Sequence, residues 1–326
     1  MLFRSARMEF DYLVVGGGSA GCVLAARLSE NPAIRVALLE AGPRDTNPFI
    51  HCPAGLAALA KTGGVNWGYA TVPQAGLLGR RGYQPRGKVL GGSSSVNAMI
   101  YIRGLPADYD GWADAGNPGW SWQDVLPYFK RAEHNERIAN DWHGQGGPFN
   151  VMDLRSPSAL REDFVAAGMS AGWPRNDDFN GATQAGFGHY QVTQWNGRRC
   201  STAVAYLNPV RARPNLTIVS HASTRRVMLD GARAVGVEYL HRGALKTARA
   251  TREVLLAAGA IGSPQLLMCS GIGPIDELES VGIRVRVPQT EVGRNLHDHV
   301  DYCTLQKCRE PVTYDLDRKS TRLNSS

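Results

Sequence analysis

Three glycines between two apolar runs constrain the fold of this chain more than any other feature of its sequence. Gly16, Gly18 and Gly21 form the pattern Gly-x-Gly-x-x-Gly directly after the apolar run 12–15. A helical spacing of apolar residues follows, and a second apolar run occupies 36–39. This order predicts a strand, a glycine turn, a helix and a second strand, with the glycines letting a pyrophosphate approach the positive end of the helix.

The residues around this unit complete the predicted dinucleotide site. Ser19 and Ala20 open the helix, and Glu40 and Ala41 follow the second run, with Glu40 placed 19 residues after Gly21. A carboxylate at that place accepts hydrogen bonds from the hydroxyls of an adenosine ribose, and it disfavours a 2′-phosphate. The unit therefore predicts a dinucleotide other than NADP, and it leaves FAD and NAD open.

A second cluster of glycine and serine, between residues 87 and 101, is the next candidate for contact with a ligand. Gly91 and Gly92 let backbone amides come close to a bound group. Short polar side chains follow at Ser93, Ser94, Ser95 and Asn97. The apolar run 98–102 predicts a strand that would place these groups against a core, whereas an ordinary surface loop is the alternative.

The remaining chain predicts more strands and a second domain. Apolar runs at 216–220, 225–229, 234–240 and 253–258 predict strands, with a hairpin turn at Asp230-Gly231. Gly259 precedes a predicted helix at 263–269, in which Pro264 suits the first helical position. We expect an α/β fold with a Rossmann-like domain and a mainly parallel sheet, plus part of a second α+β domain.

Composition and charge exclude several classes of partner. The formal net charge is +7, but no run of five or six like charges occurs, which disfavours a nucleic acid as partner. The apolar runs are far shorter than the ~20 residues of a transmembrane helix, and no secretory signal is recognised at the N-terminus. We expect a cytoplasmic protein, with peripheral contact at the inner face of the membrane as the alternative.

The histidine and cysteine positions do not predict a metal site. His297 and His299 would point to one side of a strand, but no third and fourth ligand stands at a convincing spacing. The six cysteines contain no Cys-x-x-Cys pair and are too sparse for a disulfide scaffold. We expect free thiols and no metal.

Two long segments resemble the signatures of the glucose-methanol-choline (GMC) oxidoreductase family. One is 87–110, through its glycines and Asn97, Tyr101, Gly104 and Asp110, and the other is 259–273. Shorter likenesses lie at 117–120, 125–129, 143–147 and 293–299, and the resemblance spans about 11–313. Within the family the chain is most similar to the N-terminal part of choline dehydrogenase and of related bacterial alcohol dehydrogenases.

The resemblance implies FAD rather than NAD, and it assigns residues to parts of that cofactor. The implied contacts are Gly16, Gly18 and Gly21 with the pyrophosphate, Glu40 and Ala41 with the adenosine ribose, Gly91, Gly92, Ser93, Asn97, Ala98 and Met99 with the flavin side, Val227 with the adenine side, and Gly259 at a helix start near the cofactor. Some relatives carry at position 97 a histidine that bonds covalently to the flavin. The Asn97 amide has no comparable nucleophilicity, so we expect non-covalent FAD.

The resemblance also implies a division of the chain. Residues 8–150 and 215–299 would form the two parts of the FAD-binding domain, and 151–214 would begin a substrate domain. Residues 300–316 would begin the truncated continuation of that substrate domain, and 317–326 would be a disordered, extraneous tail.

The implied activity is oxidation of the CH–OH group of a choline-like or aliphatic alcohol, by hydride transfer to flavin N5. A quinone, a dye or oxygen would then take the electrons. The family's proton-accepting histidine lies beyond the position of residue 326, so we assign no catalytic residue and expect this chain alone to be inactive. A catalytically inactive FAD-binding fragment and an NAD-dependent dehydrogenase with similar motifs are the alternatives.

Overall fold

The computed structural model describes residues 8–155, 159–299 and 301–304. The strands are β1 Met8–Val15, β2 Val36–Leu39, β3 Tyr69–Ala70, β4 Tyr83–Gln84, β5 Glu133–Asn135, β6 Phe149–Asp153, β7 Gln191–Val192, β8 Gln194–Trp195, β9 Arg198–Arg199, β10 Leu216–Val219, β11 Ala222–Asp230, β12 Arg233–His241, β13 Ala244–Leu256, β14 Ile272–Gly273 and β15 Val287–Pro288. The α-helices are α1 Ser19–Leu28, α2 Pro48–His51, α3 Leu56–Thr62, α4 Pro106–Asp114, α5 Trp122–Ala132, α6 Ala159–Ser170, α7 Gly259–Cys269 and α8 Ile275–Ser280. The expected tail at 317–326, and most of 300–316, lie outside the described residues.

A six-stranded sheet in the order β10-β2-β1-β13-β12-β11 organises the molecule. The pairs β10/β2, β2/β1 and β1/β13 are parallel, and β12 and β11 add an antiparallel edge. β1 is central, with Tyr12 opposite both Val36 and Glu253. The predicted α/β class with a mainly parallel sheet is confirmed.

Each face of this sheet packs against its own hydrophobic layer. Val14 and Leu38 face α1 and the π-helical turn Ala203–Leu207, whereas Leu13 and Leu39 face the opposite layer, which includes Leu266 of α7. Side chains alternate between the faces of a strand, and both faces are covered here, so residues 13–15 of β1 and 36–39 of β2 are apolar at every position. Full burial of a leucine stabilises a fold by roughly 1.5–3 kcal/mol, so these layers hold the sheet edge in place.

Two local predictions were wrong. Residues 98–102 do not form a strand: Ile100 makes an isolated bridge to Val192, and Met99 has a left-handed φ of 65°, which interrupts an extended run. Pro264 does not begin a helix, because α7 already starts at Gly259 and contains the proline. The absence of an N–H on Pro264 removes one helical hydrogen bond inside α7.

A network of buried charged side chains joins segments of the chain that lie outside the main sheet. Glu133 of β5 has no exposed surface, and its Oε2 accepts hydrogen bonds from Arg103 Nη2 at 2.6 Å and from the Gly144 N–H at 2.9 Å. Its Oε1 lies 2.8 Å from His143 Nδ1, and the other ring nitrogen of His143 lies 3.0 Å from Asp178 Oδ1. The network therefore ties the chain after the second glycine cluster to the segments around residues 133–144 and 178.

Candidate dinucleotide site

A large cavity lies where β1, β2 and β13 end, at the carboxyl edge of the parallel strands. Its volume is about 1130 Å³, and such edges are where open α/β sheets bind ligands. Nine of the residues predicted from the sequence line it: Gly16, Gly18, Ser19, Ala20, Glu40, Ala41, Gly92, Ser93 and Gly259. The two glycine clusters and the two loops that follow apolar strands therefore meet around one space.

The first glycine turn approaches other backbone too closely for a side chain. A Cβ on Gly16, whose φ is 101°, would lie 2.5 Å from the carbonyl oxygen of Ala257. A Cβ on Gly92, whose φ is 54°, would lie 2.6 Å from the Cα of Gly18. These contacts bring the first cluster, the second cluster and the end of β13 together with no side chain between them.

Two helices begin on the cavity without a cap. α1 follows Gly18 and α7 follows Ala258, and within the described residues neither helix has a side-chain cap or an acidic residue in its first turn. The first N–H groups of a helix lack helical partners, and together with the helix dipole they favour an anion. Both helix starts can therefore receive negatively charged groups of a ligand.

Glu40 is the buried carboxylate of the site, with 5% of its surface exposed. Its Oε2 accepts the N–H of Gly17 at 2.7 Å, and its Oε1 accepts the N–H of Gly42 at 2.8 Å. Burial raises the pKa of Glu40 to about 7, against the two backbone hydrogen bonds, which lower it. Each oxygen keeps a second lone pair, so Glu40 can brace the turn and still accept a hydrogen bond from a ligand.

The serines of the second cluster mostly brace their own loop. Ser94 donates its hydroxyl to the Gly91 carbonyl at 2.6 Å, and Ser95 donates to the Leu90 carbonyl at 2.7 Å. Both are buried and neither lines the cavity, whereas Ser93 does. Of the three serines, only Ser93 was predicted as a cofactor contact, and only Ser93 lies on the cavity.

Six predicted site residues do not line the cavity: Gly21, Gly91, Asn97, Ala98, Met99 and Val227. Gly21 packs against the Gly16 carbonyl, and Gly91 against Ser95 and Ala203, so both shape the turns from behind. Asn97 and Ala98 are exposed beside the buried Met99. The N–H of Val227 already donates to Ser270 Oγ at 2.8 Å, so it is not free to bind a ligand.

The structure adds cavity residues that were not among the site residues predicted from the sequence. They are Val15, Leu39, Trp67, Tyr69, Arg86, Gly87, Ala222, Ser223, Thr224, Arg225, Arg226, Glu238, Leu256, Ala257, Ala258, Ala260, Ile261, Gly262, Ser263, Gln265, Leu266, Cys269 and Ile283. Among them, Trp67 and Tyr69 stack with ring centroids 5.7 Å apart. The hairpin signal at Asp230-Gly231 could have located the strand that carries Thr224, but not its place at the cavity.

The described part of the chain contains no group of three or more His, Cys, Asp or Glu arranged to hold a metal ion. Asp298, between the two histidines of the His-x-His segment, lies 3.5 Å from Arg86 Nη2 and forms an exposed ion pair. In the same residues, no helix is both long enough and apolar enough to cross a membrane.

Comparison with known proteins shows the family of the chain. Residues 10–301 match the family model of the GMC oxidoreductases. The chain is 49% identical to an alcohol dehydrogenase [acceptor] of Pseudomonas putida, over 90% of this chain and 53% of that protein. It is 45% identical to the mitochondrial choline dehydrogenase of Mus musculus, over 96% of this chain and 54% of that protein.

A solved structure shares the architecture as well. The crystal structure of pyridoxine 4-oxidase from Mesorbium loti superposes with a TM-score of 0.85 at 40% identity, covering 89% of this chain and 57% of that one. The chain thus spans about half the length of the relatives that it matches. With the family model covering most of the sequence, the chain belongs to the GMC oxidoreductase family, whose members bind FAD.

Proposed function

We propose that the cavity binds FAD and that the chain is the FAD-binding part of an enzyme that oxidises alcohols. One observation carries this proposal: a single cavity of about 1130 Å³ joins two uncapped helix starts, the buried Glu40 and the second glycine cluster. The similarity to an alcohol dehydrogenase and a choline dehydrogenase supports an alcohol as the substrate class.

The polar groups of the cavity suit the parts of FAD. The start of α1 would take the pyrophosphate, and Glu40 would accept the hydroxyls of the adenosine ribose. Thr224 Oγ1 is buried at the cavity and has no hydrogen-bond partner among the described residues. A buried hydroxyl without a partner is costly, so Thr224 is a natural contact for a polar group of the cofactor.

FAD fits this cavity better than NAD, the second candidate from the sequence. The cavity continues from Glu40 past the first turn to Gly92 and Ser93, so the second glycine cluster takes part in the same site. The GMC family model, which matches residues 10–301, also favours a flavin.

We propose that FAD is bound without a covalent bond. The side-chain oxygen of Asn97 accepts hydrogen bonds from Arg199 Nη1 at 2.8 Å and from the N–H of Met99 at 3.1 Å. The remaining group on this side chain is an amide nitrogen, which is a poor nucleophile. Acid precipitation should therefore leave the flavin in the supernatant, and flavin in the pellet would contradict this assignment.

The substrate chemistry would be removal of a hydride from the carbinol carbon of a choline-like or aliphatic alcohol. When bound, FAD supplies N5 as the hydride acceptor, and an external quinone, dye or oxygen would reoxidise it. None of the described residues lining the cavity is a histidine. His143 instead holds carboxylates with both ring nitrogens, and His51 Nε2 lies 2.6 Å from the Asp45 carbonyl oxygen.

This distribution of histidines favours a chain that binds FAD but lacks the base that takes the proton from the alcohol hydroxyl. A missing general base typically removes about 10²-fold to 10⁴-fold of rate. We therefore propose that the chain alone is the inactive FAD-binding fragment of the enzyme. Residues 8–150 and 215–299 would hold the cofactor, and 151–214 and 300–316 would contribute to the substrate side.

Flavin content and dye-linked turnover together test this proposal. The 326-residue chain would be reconstituted with FAD, desalted, and assayed with choline and short aliphatic alcohols and an artificial electron acceptor. We expect bound flavin and turnover far below the ordinary enzyme range of about 1 per second or faster. A chain without flavin would overturn the binding proposal, and rapid turnover would show that the chain carries its own base.

A further inference from the structure

Arg199 is a buried cation that has no acidic partner among the described residues. It lies in β9 with 1% of its surface exposed, and it forms no salt bridge in the described part of the chain. Burial lowers the pKa of Arg199 to about 10, so the guanidinium remains charged at neutral pH. A buried charge without a counterion is costly, so a structural or functional gain must offset this cost.

The guanidinium joins three segments that lie far apart in the sequence. Its Nε donates to the Ile50 carbonyl at 2.8 Å, at the end of α2. Its Nη1 lies 3.2 Å from the Ser94 carbonyl oxygen and 2.8 Å from the Asn97 carbonyl oxygen. Its Nη2 is buried without a hydrogen-bond partner among the described residues. Arg199 therefore holds the second glycine cluster from behind.

The contact of Arg199 with the Asn97 side chain has a directional consequence. Asn97 Oδ1 lies 2.8 Å from Arg199 Nη1 and 3.1 Å from the backbone nitrogen of Met99. Both neighbours are donors, so the oxygen of the amide must face them. The amide nitrogen of Asn97, on an exposed side chain, is then the group left free to donate.

We propose that Arg199 is a positioning residue, which binds the carbonyl oxygens of Ser94 and Asn97 and so holds the second glycine cluster in the conformation that places Gly92 and Ser93 on the cavity. This inference rests on the proposed FAD site. The hydrogen bond from the Met99 N–H to Asn97 Oδ1 supports the left-handed backbone of Met99, whose φ of 65° is unfavourable for a residue with a side chain. Arg199 thus acts on the cavity through the cluster that it holds, without lining the cavity itself.

Four variants of the 326-residue chain test this role. They are Arg199→Met, Arg199→Lys, Asn97→Ala and the double variant Arg199→Met/Asn97→Ala. Arg213→Met is the matched control, because Arg213 Nη1 also binds a backbone carbonyl and a hydroxyl, those of Ala26 and Ser29, away from the second cluster. FAD affinity, the visible flavin spectrum and thermal stability would be measured for each.

If Arg199 holds the cluster, Arg199→Met should weaken FAD binding about tenfold, the usual effect of losing a hydrogen bond to a charged group. Asn97→Ala leaves the contacts of Arg199 with the Ser94 and Asn97 carbonyls, so it should weaken binding less than Arg199→Met, and the double variant should bind as weakly as Arg199→Met within about twofold. Arg199→Lys keeps the charge and should recover part of the affinity, and Arg213→Met should leave it unchanged. A loss in Asn97→Ala or in Arg213→Met as large as in Arg199→Met would overturn the proposal.

A second measurement does not depend on FAD. Hydrogen exchange of residues 96–100 in the FAD-free chain should speed up in Arg199→Met and remain as in wild type in Arg213→Met. Unchanged exchange would overturn the positioning role even if the wild-type chain failed to bind FAD. Failure of the wild type to bind FAD, with exchange altered as expected, would overturn the proposed function and leave the contact between Arg199 and Asn97 supported.

Discussion

The carboxylate of Glu40 and the backbone N–H of Gly17 form a buried hydrogen bond of 2.7 Å between Glu40 Oε2 and the Gly17 nitrogen. It joins the end of β2 to the glycine turn after β1, 23 residues apart in the sequence. A carboxylate expected only as a ligand contact is thus also a brace of the turn that would hold the pyrophosphate. Substitutions of Glu40 should therefore affect both folding and binding.

The stability of the FAD-free chain should depend on the protonation of Glu40. Its folded pKa of about 7 lies above the unfolded value of 4.5, so its contribution is fully present below pH 4.5 and is lost as the pH rises through 7. A shift of this size corresponds to about 3 kcal/mol. Urea unfolding between pH 4.5 and 8, with Glu40→Gln as the control, should show a decline in wild type that the variant lacks. The same slope in both chains would exclude Glu40 as its source.

FAD binding should have the opposite pH dependence. Ribose hydroxyls donate to the ionised carboxylate, so FAD should bind more tightly as the pH rises through about 7, and binding below that pH should release a proton. Titration calorimetry in two buffers of different ionisation enthalpy measures this proton. An affinity independent of pH from 5.5 to 8 would remove Glu40 from the ribose contact.

Shortening the Glu40 side chain should destabilise the fold more than neutralising its charge does. Glu40→Gln keeps one oxygen acceptor, so it should weaken FAD binding by about 1.5–3 kcal/mol and leave one of the N–H groups of Gly17 and Gly42 without an acceptor. Glu40→Ala leaves both N–H groups without acceptors, which should destabilise the fold by a further ~1–3 kcal/mol relative to the Gln variant. Chemical unfolding and fluorescence titration of both variants separate the two effects. Equal stability of the Ala and Gln variants would contradict the brace.

A methyl group on Gly92 should prevent FAD binding. Its Cβ would lie 2.6 Å from the Gly18 Cα, so Gly92→Ala must push the two clusters apart. Gly231→Ala is a close control, because Gly231 has a φ of 58°, near the 54° of Gly92, but no atom within 4 Å of a new Cβ. Both variants carry the backbone strain of about 1 kcal/mol, and only Gly92→Ala should lose FAD affinity, by more than tenfold. Similar losses in both would show that strain alone is responsible.

Glu133 should control the acid stability of the region beyond the main sheet. Burial raises the pKa of Glu133, but hydrogen bonds from His143, Asn135 and Gly144 and the charge of Arg103 outweigh it, and the net shift is downward. Its contribution is therefore present above pH 4.5 and is lost as the pH falls through the lower folded value. Glu133→Gln should destabilise the chain at pH 7 by about 3–5 kcal/mol, the usual effect of breaking a buried pair. Urea midpoints at pH 7 and pH 3 should differ less in the variant than in wild type.

The sequence predicted the parts of the fold that local patterns specify. The apolar run 36–39 is β2, and the turn at Asp230-Gly231 joins β11 to β12. The prediction of a strand at 98–102 was wrong because Met99 has a left-handed backbone conformation, which a hydrogen bond to the Asn97 side chain supports. No local sequence pattern indicates this conformation.

The site was predicted where a motif marks it and missed where distant segments meet. Gly16, Gly18 and Glu40 were found from their spacing around β1 and β2, but Thr224 was not, because only the sheet order brings β11 to the cavity. Ser94 and Ser95 were noted as short polar groups of the second cluster, and their hydroxyls donate to carbonyls of their own loop. The role of Arg199 depends on contacts with residues about 100 or more positions away, which a single sequence does not reveal.

Equilibrium titration of the 326-residue chain with FAD, followed by flavin fluorescence and repeated in the presence of excess NAD, tests the central claim most directly. The account predicts saturable binding of one FAD per chain, little competition by NAD, and loss of binding in Gly92→Ala but not in Gly231→Ala. Absence of saturable FAD binding by a folded chain, or displacement of FAD by NAD at similar concentrations, would contradict it.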